Sequence, residues 1–512
     1  MNESKQAVDI ILKEFRDALE EPTMQADDNF FDFGGHSLLA TRVIGNLIHK
    51  HGMSVAFQDF FKSPSAQELA GKVTNQDATG CLTDQVAQNK PNDITFPLSN
   101  TQSFLWQAYQ KFNFSSIYNL PFVIEFDKPV DENIFFQAFN SVLERHPSLR
   151  TRFISIDNKI LQNIVPMSKV GEYKWFWFSY ESLDATLADE ANYRFNLHHE
   201  LPIRIRFFPS SDKKSILSLL IHHMVIDEWS LNTLMRDLKQ AYFCYSQGIN
   251  PDWQGTPGSM QEFVEKQINT GINLSHLEYW KSHLQNVKLP AQPSCSTSAK
   301  SVEIGLNLSN YQTLQNIAKA NNSSLFLVFY TIIALALHEE FNYKELIVGT
   351  SASGRTDVQF FDTIGYFTTM IAHKINLSNQ KTFLESLNHI SALVQDSLQY
   401  ADIPINIIQQ EMEMPKDQLM FDVYIHIHSN NALHGSIESA DGRIINYRQL
   451  MQNKTESMFG MHFEIMDNRS TDNNHELKII ITYQTKRYDA RLIHNLYNKI
   501  NKIIHTLTTN II

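Results

Sequence analysis

Apolar residues recur at three- and four-residue steps in Val8, Ile11, Phe15 and Leu19, which predicts an amphipathic helix at the N-terminus. A turn-rich acidic stretch follows (Asp27, Asp28, Asn29), then Phe30, Phe31 and Phe33, and Gly34-Gly35-His36-Ser37 closes it. Leu38, Leu39, Val43, Ile44 and Leu47 then form a second helical stripe. Ser65 with Glu68 three residues later reads as a capping box opening a short helix. Residues 1–75 are therefore expected to be a small helical bundle. From Asn75 to about Asn92 the chain turns polar and loses periodicity, with Gly80 and Pro91 as breakers, so 76–96 reads as a linker.

From Pro97 onward strand-like runs alternate with helical ones. Strands are expected at Phe122–Phe126, Ile203–Phe208, Ile216–Ile221, Leu346–Thr350, Val423–His428 and Lys478–Tyr483. Helices are expected at Ile134–Glu144, Leu231–Ser246, Tyr311–Ala320, Leu325–Glu339 and Ala490–Leu507. This much mixed α and β exceeds a usual single domain, so two lobes are expected, 97–270 and 271–512.

Composition narrows the function. Of the 512 residues, 43% are hydrophobic and 34 are Phe, ample for large cores. A net charge of −12 excludes sequence-independent nucleic-acid binding, which needs a basic footprint. Cys81, Cys244 and Cys295 lie far apart without metal-ligand or CxxC spacing, as inert thiols in a reducing compartment would. The segment MNESKQAVDIILKEF mixes charges with apolar residues and is no signal peptide. The longest apolar run, Leu325 to Leu337, falls short of the ~18 residues of a membrane span. A cytoplasmic protein is expected.

Two positions carry chemistry. Ser37 stands where a glycine-rich loop enters a helix, so backbone N–H groups and the helix dipole favour a phosphate ester there. On position alone a plain N-cap serine is the commoner role. The second position follows Ser215–Ile221, a strand buried on both faces that runs into His222-His223, with Asp227, Glu228, Trp229 and Ser230 opening the next helix. Strand side chains alternate between faces, so only one histidine of the pair lines a given channel. Amide formation from a thioester requires that the amine lose a proton and that the oxyanion meet a donor. A neutral imidazole serves either need. His223 is assigned to the channel and His222 to a supporting place; for a bare histidine pair, two satisfied histidines at a strand end are the commoner outcome.

Both neighbourhoods resemble known families. DNFFDFGGHSLLATRV (Asp28–Val43) is similar to the attachment motif of peptidyl carrier proteins of nonribosomal peptide synthetases. That resemblance covers residues 5 to 75 and implies a four-helix-bundle carrier domain with 4'-phosphopantetheine on Ser37. HHMVIDEWS resembles the HHxxxDG signature of condensation domains. LSNTQSFLW (98–106), RHPSLRTRF (145–153), GYFTTM (365–370) and YADIPIN (400–406) are similar to further family segments in the right order. This second resemblance spans 97 to 512 and implies an α/β domain of two chloramphenicol-acetyltransferase-like lobes. His223 would sit between them in a tunnel entered by two carrier arms. It further implies a structural Asp227 paired with an arginine, Arg355 being favoured over Arg150, with Trp229 and Ser230 in support. The implied partners are upstream adenylating proteins, a phosphopantetheinyl transferase and an amine acceptor.

The chain departs from the family at Glu228, where the motif has glycine, and at Thr369, where the GxFVNT-like segment has asparagine. Glu228 reads as a first-turn carboxylate favoured by the dipole, or as an acceptor-side group engaging a cationic amine. His198-His199-Glu200 and His338-Glu339-Glu340 lack metal-ligand spacing. His426 and His428 share a strand face but find no further ligand at suitable spacing. No metal is predicted. The expected function is condensation of a Ser37-borne acyl group with an amine. With no further domain after the last predicted helix, the acceptor is expected to be a small soluble amine, as in siderophore-type release. A downstream carrier, a non-catalytic recruitment platform and a coenzyme-A-dependent acyltransferase are the alternatives.

Overall fold

The computed structural model describes residues 2–19, 21–33, 35, 37–75, 94–209, 214–253, 255–290, 296–355, 357–415, 418–429, 432–451, 454–468 and 476–509. Cys81, Cys295 and most of the 76–96 linker lie outside them.

The N-terminal unit has two full helices, Asn2–Leu19 and Ser37–His51, and two short ones, Phe57–Lys62 and Ala66–Leu69. Two-residue strands, Met53–Ser54 and Thr74–Asn75, pair across it. The expected four-helix bundle thus has two substantial members. Its core is aromatic: the Phe15 ring lies 4.7 Å from Phe30 and 5.4 Å from Phe60. Phe30 comes from the stretch before Ser37, so that loop is anchored in the core rather than draped over it. A buried Glu14 joins the two long helices, accepting a hydrogen bond from Asn46 Nδ2 at 2.8 Å and contacting His51 at 3.1 Å. Ser65 caps the last helix by accepting from the Glu68 backbone N–H at 3.2 Å.

Beyond residue 93 the fold is two six-stranded sheets and a three-stranded one. The first sheet runs in the order Gly435–Glu438, Ile444–Leu450, Asn119–Phe126, Ser215–His222, Ile203–Phe208, Phe176–Trp177. The second runs Ala299–Leu306, Glu476–Gln484, Met461–Asn468, Val423–Ser429, Glu345–Ala352, Thr369–Asn376. The strands that carry His222 and the His426–His428 pair, Ser215–His222 and Val423–Ser429, are interior strands. The first has the near-continuous apolar run of a strand buried on both faces, while the second alternates, with His426 and His428 on one face.

Two sequence expectations change. Ile94–Pro97 is a strand paired with Lys159–Ile164, so folded structure begins inside the 76–96 segment. The 271–512 segment does not keep to one lobe: Gly435–Glu438 and Ile444–Leu450 complete the first sheet, the latter pairing with Asn119–Phe126. Strand alternation is local and cannot say which sheet a strand joins. No single described helix is long and apolar enough to cross a membrane; Leu325–Phe341 is instead buried along most of its length in the second lobe's core.

Candidate active site between the two sheets

The strand Ser215–His222 passes into a short 3-10 turn, His223–Val225, and then the helix Glu228–Ser246. Asp227 caps that helix, accepting from the Ser230 N–H at 2.9 Å. This strand–turn–helix corner sends four chemical groups in different directions.

His222 is fully buried, its ring 4.6 Å from Tyr109. Its Nδ1 accepts from the Met224 N–H at 3.2 Å, and Nε2 has no partner among the described residues. Burial, with His223 adding to it, drives its pKa down to about 3, so the ring is neutral. His223 is only partly buried and faces Tyr366, centroid to centroid 5.0 Å. Its Nδ1 donates to the Ile226 carbonyl at 2.7 Å. A carbonyl can only accept, so the proton sits on Nδ1 and the lone pair on Nε2. Burial lowers the pKa of His223 despite the pull of Ile226, Asp227 and Glu228 in the opposite direction. The ring is therefore a neutral imidazole with a free acceptor nitrogen, partly open to solvent.

Asp227 turns the other way. Arg355 Nη1 donates to its Oδ2 at 2.6 Å and Nη2 to its Oδ1 at 3.0 Å. Ser230 Oγ adds a bond at 2.7 Å, and the Phe367 N–H one at 3.1 Å. Both members of the ion pair are fully buried. Burial pushes the Asp227 carboxyl up, but Arg355 holds it below its ordinary value. Arg355 follows a strand of the second sheet, so this pair ties the lobes together. Arg150 lies elsewhere and donates to the carbonyls of Leu143 and Val165. Trp229 Nε1 donates to the Phe361 carbonyl at 2.7 Å, a further tie between the lobes.

Glu228 makes a contact that the spacing of His426 and His428 could not reveal. Its Oε2 bonds His426 Nε2, and its Oε1 lies 2.8 Å from His428 Nδ1. The third group that the two histidines lack along their own strand comes from 198 and 200 residues upstream, on the other lobe. The carboxylate is engaged by two rings.

The remaining motifs brace this corner. Arg145 and His146 both bond Asp237 on the helix Glu228–Ser246, at 2.9 and 2.8 Å. Gln102 Nε2 donates to the Met224 carbonyl at 3.0 Å. Thr369 Oγ1 donates to the Ala401 carbonyl at 2.8 Å, linking the 365–370 and 400–406 segments. Glu200 accepts from Tyr193 Oη, and His338 bonds the Tyr343 carbonyl, so those two histidine-rich stretches serve local structure.

At the carrier, Ser37 is the first residue of the helix Ser37–His51, which has no acidic residue in its first turn. Gly35 packs so closely that a Cβ there would come within 2.2 Å of the Phe30 ring. A serine at the first position of a helix without an acidic residue in its first turn suits a phosphate ester. The carrier also touches the second lobe: Lys319 Nζ lies 2.6 Å from Asp32 Oδ2, and Gln315 Nε2 donates to the Asp32 carbonyl at 3.1 Å.

Comparison with known proteins accords with this geometry. The condensation-domain family model matches residues 92–511, and the phosphopantetheine attachment site model matches residues 9–73. A linear gramicidin synthase of Brevibacillus parabrevis is 22% identical over 98% of the chain, which spans 10% of that protein. The dimodular nonribosomal peptide synthase of Bacillus subtilis is 27% identical over 77% of the chain, which spans 17% of it. Among solved structures, the condensation domain of monacolin K polyketide synthase MokA superposes with a TM-score of 0.68 at 14% identity, over 81% of this chain and 98% of that one. The X-domain from teicoplanin biosynthesis gives 0.68 at 18% identity, over 83% and 97%. The chain belongs to the condensation-domain family of nonribosomal peptide synthetases, amide-forming acyltransferases, and carries ahead of that domain a carrier unit that bears 4'-phosphopantetheine on a serine.

Proposed function

We propose that Ser37 carries the donor acyl thioester and that His223 promotes its condensation with an amine. The observation that supports this most directly is the tautomer of His223: Nδ1–H is committed to the Ile226 carbonyl, leaving Nε2 as a lone pair in a partly open position. The phosphopantetheine arm, once installed on Ser37 by a phosphopantetheinyl transferase and loaded by adenylating partners, supplies the thioester. Nε2 accepts a hydrogen bond from the attacking amine and takes its proton as the C–N bond forms. The C–S bond breaks, and that proton passes to the leaving sulfur, so the imidazole returns neutral. His222 holds the strand end in place, and Asp227 with Arg355, Ser230 and Trp229 holds the corner against the second lobe.

For the acceptor, an amine presented by a second carrier fits best, because the relatives above are large synthetases of which this chain corresponds to a small part. A small soluble amine, as in siderophore-type release, is the second reading; what favours it is the Glu228 carboxylate, 38% exposed beside the double histidine, as a group that a cationic amine can meet. Loaded protein is offered an aminoacyl carrier or a panel of free diamines, and amide is read by intact mass. His223→Ala should lower the rate by about 10²–10⁴-fold, the range of a lost general base. Product formation that survives this substitution means that the chain is a recruitment platform. Glu228→Ala separates the acceptors further: an unchanged KM for free amines removes the soluble-amine reading.

A further inference from the structure

Glu228, His426 and His428 offer one ligand atom each, all within 4.8 Å of one another. They come from both lobes: Glu228 from the first turn of the helix after the double histidine, the two histidines from one face of the interior strand Val423–Ser429. The period of two along a strand aims both rings the same way. Their side chains keep 38%, 21% and 28% of their exposure, so an ion can reach them from solvent.

What lies behind the three groups sets them apart from a chance ion pair. His428 presents Nδ1 to Glu228, while its Nε2 is held by Glu464 Oε1 at 3.2 Å. Glu464 is buried and is itself held by Lys454 Nζ at 2.6 Å. His426 presents Nε2 to Glu228, while its Nδ1 is held by Ser351 Oγ at 2.8 Å. Each ring thus has one nitrogen facing the cluster and the other fixed by an oxygen partner. That is the arrangement which orients ligating imidazoles in metal sites.

We propose that Glu228, His426 and His428 bind a divalent first-row metal ion, with zinc the matching choice, bridging the two lobes beside the double histidine. Two imidazoles and one carboxylate are a zinc donor set, with bonds of ~2.0–2.2 Å and a position left for water or another donor. The test is independent of the condensation reading above, since occupancy is measured without any acyl substrate.

The test uses the full chain without an affinity tag, stripped with chelator and titrated with Co²⁺ as a spectroscopic stand-in for Zn²⁺. One equivalent should bind with visible d–d absorption, and Zn²⁺ should displace it. Glu228→Gln and the double variant His426→Ala/His428→Ala should weaken binding at least about tenfold, and Glu464→Gln by roughly 10-fold through the lost support. X-ray absorption of the zinc-loaded wild type should show two imidazole ligands, which keeps the proposal testable should a variant misfold. Substoichiometric binding, an equivalent that survives both the Glu228 and the double-histidine substitutions, or a zinc spectrum without imidazole overturns it.

Discussion

At the scale of single residues, neighbours in sequence have unlike fates because a strand end, a turn and a helix start point them apart. His222 is sealed, His223 is partly open, Asp227 is buried against Arg355, and Glu228 reaches across to two histidines. Removing one partner of the Asp227–Arg355 pair strands a charge in the interior. Arg355→Ala should therefore cost roughly 3–5 kcal/mol, read as a lower midpoint in chemical denaturation. If the pair were solvated, the loss would stay near the ~1 kcal/mol of a surface bridge.

At the scale of elements, the helix Glu228–Ser246 fixes the corner from behind through Asp237, which binds Arg145 and His146. Burial alone would raise its pKa, but His146 and Arg236 bring it down to about 2. A depressed carboxyl contributes stability that is complete above its unfolded pKa of ~3.9 and is lost as pH falls through about 2. His146 acts in the same direction, since burial lowers its pKa and acidification must charge it in place. Asp237→Asn should flatten the acid unfolding curve between about pH 4 and 2; a curve as steep as the parent's would show that other carboxylates govern that limb.

Element identity was legible wherever the signal was local. The strand Ile203–Phe208 falls where its alternation put it, and the helix read from Leu325 extends to Phe341. Ser65 and Glu68 announced their cap within four residues. The strands Gly435–Glu438 and Ile444–Leu450 were missed. They are short and carry many polar residues, and Ile444–Leu450 shows one face to solvent. The Glu228 cluster was invisible for a different reason. Its members meet only through tertiary packing, and no spacing rule spans 198 residues. A carboxylate standing where the resemblance expected glycine was the one available hint.

At the scale of the molecule, the carrier rests on the second lobe through contacts that include a largely solvated ion pair. The Lys319 side chain of the Lys319–Asp32 bridge is 61% exposed, and such pairs contribute ~0.2–1 kcal/mol. At Gly45 the packing against that lobe is tight, since a side-chain carbon there would fall 2.6 Å from Val358.

Gly435–Glu438 and Ile444–Leu450 act as a return thread, stitching the late part of the polypeptide into the early part. A fragment ending at residue 270 forfeits them, and Asn119–Phe126 is left with bare N–H and C=O groups along one side. Expressed alone, that fragment should self-associate in light scattering, and supplying 435–450 as a peptide should suppress it. Ribosomal synthesis would then leave the first lobe unsealed until residue 450 had emerged.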